Sequence, residues 1–153
     1  MSLEKNKAIV RRWWEAFNKH NVALLDDFVA PDYIDRRYGQ LRGLEASKQI
    51  MTTHLNSFPD AHVTIEDIIA EGDKVWVLIT ETATHKGELL LGKIRLAPTG
   101  KKIKIKSVQF ARIVNGKIVE SALYLADSLD FYKQLGVIEP TEKGKELFPE
   151  DVK

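Results

Sequence analysis

The stretch KIKIKSVQFARIVNGKIVESALYL, residues 102–125, decides the fold. Lys102, Lys104 and Lys106 alternate with Ile103 and Ile105, the period of a strand with one wet face and one dry face. Asn115-Gly116 is the dipeptide of a tight hairpin turn. A second strand starts at Ile118 and runs to Asp127, where ADSLDFYKQLG turns helical. The same parity carries Ser107, Gln109, Ala111 and Ile113 onto the dry face. A buried amide without partners costs about 1–3 kcal/mol. Gln109 therefore either satisfies a neighbouring backbone group or lines a pocket and holds a ligand carbonyl.

Upstream, three more strands are expected. Residues 63–69 alternate around Val63 and Ile65, and the turn EGDK follows. Residues 74–84 are rich in Val, Ile, Thr and Trp, the composition of a half-buried strand. Residues 89–96 form another, interruptible at Gly92, before the turn PTGKK. The first half of the chain reads helical. Over residues 2–20, Ile9, Trp13 and Phe17 recur with Val10 and Trp14 beside them as one apolar stripe. Asn21 is placed to cap a short helix through Leu24, Leu25, Phe28 and Val29, ended by Pro31. A third helix covers residues 44–57, with Ala46, Ile50, Met51, Leu55 and Phe58 on its apolar face and Pro59 as its stop.

Helices first and a meander of long strands second imply an α+β fold, with three N-terminal helices against one face of the sheet. Long strands coil and bulges bend them further, so the sheet is expected to curve into a cone with a mouth, the kind of concavity small ligands prefer. Residues 1–138 read as one domain, and residues 139–153 as a charged tail. A content of 44% hydrophobic residues in 153 suits a single core.

Charge balance bounds the partners. Twenty-three Lys and Arg against 22 Asp and Glu leave +1, which offers neither nucleic acid nor an anionic membrane an electrostatic handle. There is no cysteine, which removes disulfides, thiol nucleophiles and thiolate metal sites and suits a reducing cytoplasm. The N-terminal residues hold no apolar run of the signal-peptide kind, and no segment approaches a membrane span. A cytoplasmic protein is the expectation.

Few residues carry chemistry. His85, in TATHKGEL at a strand end, is either a hydrogen-bonded surface residue or a proton carrier, since a free imidazole titrates near about 6.5. His54 lies on the apolar helix face with Ile50 and Phe58 and reads as a satisfied core or pocket-wall histidine rather than a catalyst. No histidine pair has the spacing of a metal site, so no metal is expected. Asp35 precedes Arg36 and Arg37; it is either neutralised in a loop or a pocket carboxylate tuned by them. No nucleophile elbow and no glycine-rich phosphate loop occurs.

The blocks FPD…E…EGD, THKGEL, PTGK and NGKIVE…D…QLG stand in the order and spacing of the SnoaL-like polyketide cyclase (ester cyclase) family, which this chain resembles from its first helix to Gly136. The resemblance implies the nuclear-transport-factor-two-like, cystatin-like cone and a homodimer formed through the open sheet surface. It implies ring closure by intramolecular aldol condensation of a polyketide-like or other small apolar carbonyl compound, without metal or cofactor. The acid/base aspartate of that family falls at Asp127, its pocket histidine at Gln109, and a polar residue after the second helix at or near Asp35. Ser121, Ala122 and Leu123 stand where the family has tryptophan, and the spacing from Glu120 to Asp127 is one residue longer.

The catalytic set is thus expected to be Asp127, Gln109 and His85, with Asp35, Trp14, Met51, His54 and Tyr124 binding substrate. Aldol closure needs a base at an acidic carbon and a donor for the new alkoxide, and one carboxyl can serve both if its pKa rises from about 3.9 toward the working pH. Burial among Val119, Leu123, Leu125, Phe131 and Trp14 would do that. An enolising isomerase would use the same equipment, and a domain that only binds would need none of it. Asp127 also suits a helix cap, with Asp130 three residues on and Gly136 past the end. Either Ser128 caps the helix and Asp127 faces the pocket, or Asp127 itself is the cap.

Overall fold

A computed structural model describes residues 2–37, 41–91 and 93–147. Helix α1, Leu3–Asn18, begins at Ser2, whose hydroxyl accepts from the Lys5 amide at 3.2 Å. It buries Ile9, Val10, Trp14, Ala16 and Phe17, while Trp13 is only partly covered. Helix α2, Leu44–Ser57, buries Ser47, Met51 and Ser57, and Phe58 at its end is wholly inside.

Strands β2 (His62–Glu71), β3 (Lys74–Thr84), β6 (Lys102–Val114) and β7 (Lys117–Leu125) match the strands read from alternation. The sheet order is β1-β7-β6-β3-β2, antiparallel except where β1 (Val29–Asp35) runs parallel to β7. Register slips between Ile65 and Asp67 in β2 and between Arg112 and Ile113 in β6 mark bulges, which bend the sheet around the helices. Two short strands, β4 (Leu89–Leu91) and β5 (Ile94–Leu96), pair in a separate arm; Gly92 itself lies outside the described residues. Helix α3, Ser128–Gln134, follows β7, and α4, Glu142–Leu147, buries none of its residues. The rest of the charged tail, residues 148–153, lies outside the described residues. No helix is long and apolar enough to cross a membrane among the described residues.

One expected element is wrong. Residues 22–27 form only a 3-10 turn, Asn21 makes no side-chain cap, and Val29 opens strand β1 rather than closing a helix. The apolar pairs Leu24-Leu25 and Phe28-Val29 fit a helical period, but the second pair belongs to a strand that buries Tyr33 and Asp35 as well. Pro31 sits inside β1, where no partner is needed for its missing N–H because β1 is an edge strand and its ladder is irregular between Val29 and Ile34.

Two glycines hold the ends of elements. Gly136 has φ of 72°, and the amides of Gly136 and Val137 return to the carbonyls of Lys133 and Tyr132, closing α3 in a left-handed turn. Gly87 packs on the end of α2: a Cβ there would lie 1.9 Å from the Asn56 carbonyl oxygen. The amides of Lys86 and Gly87 both donate to the Ser57 carbonyl at 3.0 Å, and the Ser57 hydroxyl donates to the Glu88 carbonyl at 2.6 Å. Gly87→Ala must push this loop off α2. Overpacking of that kind costs about 1–3 kcal/mol, so the melting temperature should fall by roughly 3–10 °C in thermal unfolding. An unchanged melting temperature would show that the loop docks elsewhere.

Candidate active site

The lysine-marked strand β6 does turn Ser107 and Gln109 inward: each is 2% exposed. Gln109 finds its partners in other elements. The indole Nε1–H of Trp14 donates to Gln109 Oε1 at 2.8 Å, and Gln109 Nε2 donates to Ser121 Oγ on β7 at 3.1 Å. Ser121 pairs with Asp35 across the β1–β7 ladder, which brings β1 to the same interior. Ser121 and Asp35 both neighbour the Tyr33 hydroxyl. Burial first, and then the charge of Asp35, push the Tyr33 hydroxyl far above its usual range, so it stays protonated. The Asp35 carboxylate is buried and accepts from the Arg37 amide at 2.9 Å.

A row of rings joins this line to a second polar cluster. Trp14 meets Phe17 edge-on at 5.5 Å, Phe17 meets His54 at 5.7 Å, His54 meets Phe58 at 5.0 Å, and Phe58 meets His85 at 5.5 Å. His54 donates its Nε2–H to Glu81 Oε1 at 2.6 Å. Glu81 is not among the residues the sequence singles out. Its signal is parity: Val75, Val77 and Ile79 put the next alternate position of β3 inside, and that position is a carboxylate.

Three sites differ from expectation. Asp127 is exposed, and its Oδ1 accepts from the Asp130 amide at 2.9 Å as the N-cap of α3. The unmet amides of the first helical turn claim the carboxylate, so Asp127 does not face the interior. Tyr124 is 53% exposed, because Gln109 pairs with Leu123 and the next residue points to the outer face. His85 is wholly buried rather than poised at the surface. Its Nδ1 accepts from the Thr99 amide at 3.2 Å and lies 3.0 Å from the Thr99 hydroxyl, while its backbone pairs with Gly100 and Lys101. It staples the turn after β5. Of the remaining residues, Trp14, Asp35 and Met51 are buried in the interior, and His54 is partly open.

The architecture is a sheet curved over helices, with polar side chains turned into an apolar interior. The model of the SnoaL-like polyketide cyclase family matches residues 7–135, and the chain belongs to that family. Solved structures agree. AclR from Streptomyces galilaeus, named as a candidate hydroxylase, is 27% identical with a TM-score of 0.77, over 93% of this chain and 87% of its own. TsrD from Streptomyces laurentii has a TM-score of 0.80 at 20% identity, over 90% of this chain and 99% of its own. A SnoaL-like polyketide cyclase from Agrobacterium tumefaciens has a TM-score of 0.72 at 17% identity, over 89% and 100%. The last two likenesses speak for the fold alone. Curated proteins give no significant sequence match.

Gln109→Leu keeps the volume of the side chain and strands the Trp14 N–H inside the core. An unpaired buried donor costs about 1–3 kcal/mol, a loss that denaturant titration should read. Trp14→Phe added to Gln109→Leu should recover part of it, since removing both partners is close to neutral. Full stability of the single variant would show that the bond contributes nothing.

Proposed function

We propose that this chain is a cofactor-independent enzyme that carries out acid/base chemistry on a small apolar carbonyl compound, of the aldol ring-closing or enolising kind, with Asp35 in place of Asp127 as its carboxylate. The observation that carries this is the buried Asp35 carboxylate beside the buried Tyr33 hydroxyl, at the end of the polar line from Trp14 through Gln109 to Ser121. Asp35 takes the proton from the carbon beside the carbonyl. The Tyr33 hydroxyl, held protonated by burial and by its neighbour, donates to the developing enolate oxygen. In a ring closure the protonated Asp35 then returns its proton to the new alkoxide, so one carboxyl serves both steps. Family membership supports the cyclase class; the place of Asp127 at a helix cap supports a second reading, binding without turnover.

Deuterium uptake at the acidic carbon of α-tetralone in D2O separates these readings. Exchange above the buffer rate is expected, cut about 100-fold or more by Asp35→Asn and unchanged by Asp127→Asn. Binding without exchange would establish the second reading. Loss of exchange in Asp127→Asn would return the role to that residue.

A homodimer is proposed on the outer face of the sheet. Trp76 lies 5.0 Å from Phe110 there, and Ile69 and Tyr124 are more than half exposed on the same face. Light scattering should give a dimer mass that Trp76→Glu halves. A monomeric wild type would refute it.

A further inference from the structure

On the other side of β6 from Asp35, a carboxylate and an imidazole meet. The Glu81 side chain is 5% exposed and that of His54 33%. A carboxylate only accepts, so the proton of the 2.6 Å bond sits on His54 Nε2. The other ring nitrogen, Nδ1, has no hydrogen-bond partner among the described residues and carries the lone pair whenever the ring is neutral. The ring is held between Phe17 and Phe58. A buried carboxylate is costly to desolvate and is a weak device for holding a helix to a sheet, and α2 is already docked by Met51 and Phe58. The arrangement is that of a base and its orienter: the inner group is closed off, and the outer one is open.

We propose that His54 and Glu81 form a second proton-transfer site, in which Glu81 positions the ring and His54 Nδ1 takes a proton from a small carbon or oxygen acid reaching the exposed edge of the imidazole. The C–H or O–H bond breaks, its electron pair stays on the ligand as an enolate or oxyanion, and the proton forms the Nδ1–H bond of an imidazolium facing the Glu81 carboxylate. Return of that proton to the ligand or to water closes the cycle, so no oxidant, reductant or co-reactant is consumed. His54 is the catalytic residue and Glu81 a positioning residue. The site stands independently of the Asp35 assignment.

Nitrobenzisoxazole tests it, because loss of its ring C–H proton breaks the N–O bond and yields a coloured cyanonitrophenolate. The full chain should open this probe faster than buffer. His54→Phe, which keeps the ring packing, should lower kcat by about 100-fold. Glu81→Gln should lower kcat by about tenfold or more with KM little changed, and Glu81→Asp should recover part of it. Nitrogen NMR of the His54 ring should show Nε2–H and a bare Nδ1 in the wild type and lose that bias in Glu81→Gln, a readout that a merely structural pair would not move. Wild-type rates in a folded His54→Phe variant, no rate above buffer, or an Nδ1–H tautomer would each overturn the proposal.

Discussion

The indole of Trp14 and the amide of Gln109 must find each other, because neither can be buried alone. Alternation along β6 commits Gln109 to the dry face, and the apolar stripe of α1 commits Trp14 to the same space. An unpaired polar group there costs about as much as a large part of a typical mutational effect. Their 2.8 Å bond therefore ties helix to sheet across 95 residues of sequence and sets how α1 lies in the cone. The second half of the amide hands the same obligation to Ser121. Because Trp can only donate, the amide oxygen of Gln109 faces Trp14 and its nitrogen faces Ser121.

Asp127 and Asp35 show how local and tertiary demands divide the carboxylates between them. Helix α3 begins with amides that no turn before it can satisfy, and Asp127 stands one residue ahead of them. Its carboxylate is drawn to that work and to solvent. Asp35 sits at the end of a strand whose neighbours are already buried, so its carboxylate stays inside, against Tyr33 and the Arg37 amide. The family pattern directs attention to the first; the hydrogen bonding favours the second. Lysine at alternate positions of β6 plays the opposite part, keeping the outer half of that strand in water while the inner half carries the polar line.

Much of this was legible in particular residues. Lys102, Lys104 and Lys106 against Ile103 and Ile105 give the bounds of β6 and the inward aim of Gln109, because side-chain direction in a strand has a period of two. Asn115-Gly116 gives the hairpin, and Gly136 the end of α3, because both turns need a positive φ: 50° and 75° at the first, 72° at the second. Parity would also have shown Glu81 turned inward and Tyr124 outward. The 3-10 turn and β1 were not legible: Phe28 and Val29 fit a helix until a parallel partner, β7, is present to take the strand.

By itself, then, the amino-acid order determined which faces are wet and dry, where the long strands turn, and which family pattern the chain carries. These are properties of neighbours a few residues apart. Only the tertiary structure decided that Trp14 meets Gln109, that His54 meets Glu81, that Asp35 lies inside beside Tyr33, and that Asp127 serves a helix instead of a pocket. Those pairings join residues from separate elements or settle a competition for one carboxylate. The outcome depends on which buried polar group would otherwise go unpaired, a quantity that exists only once the core has closed.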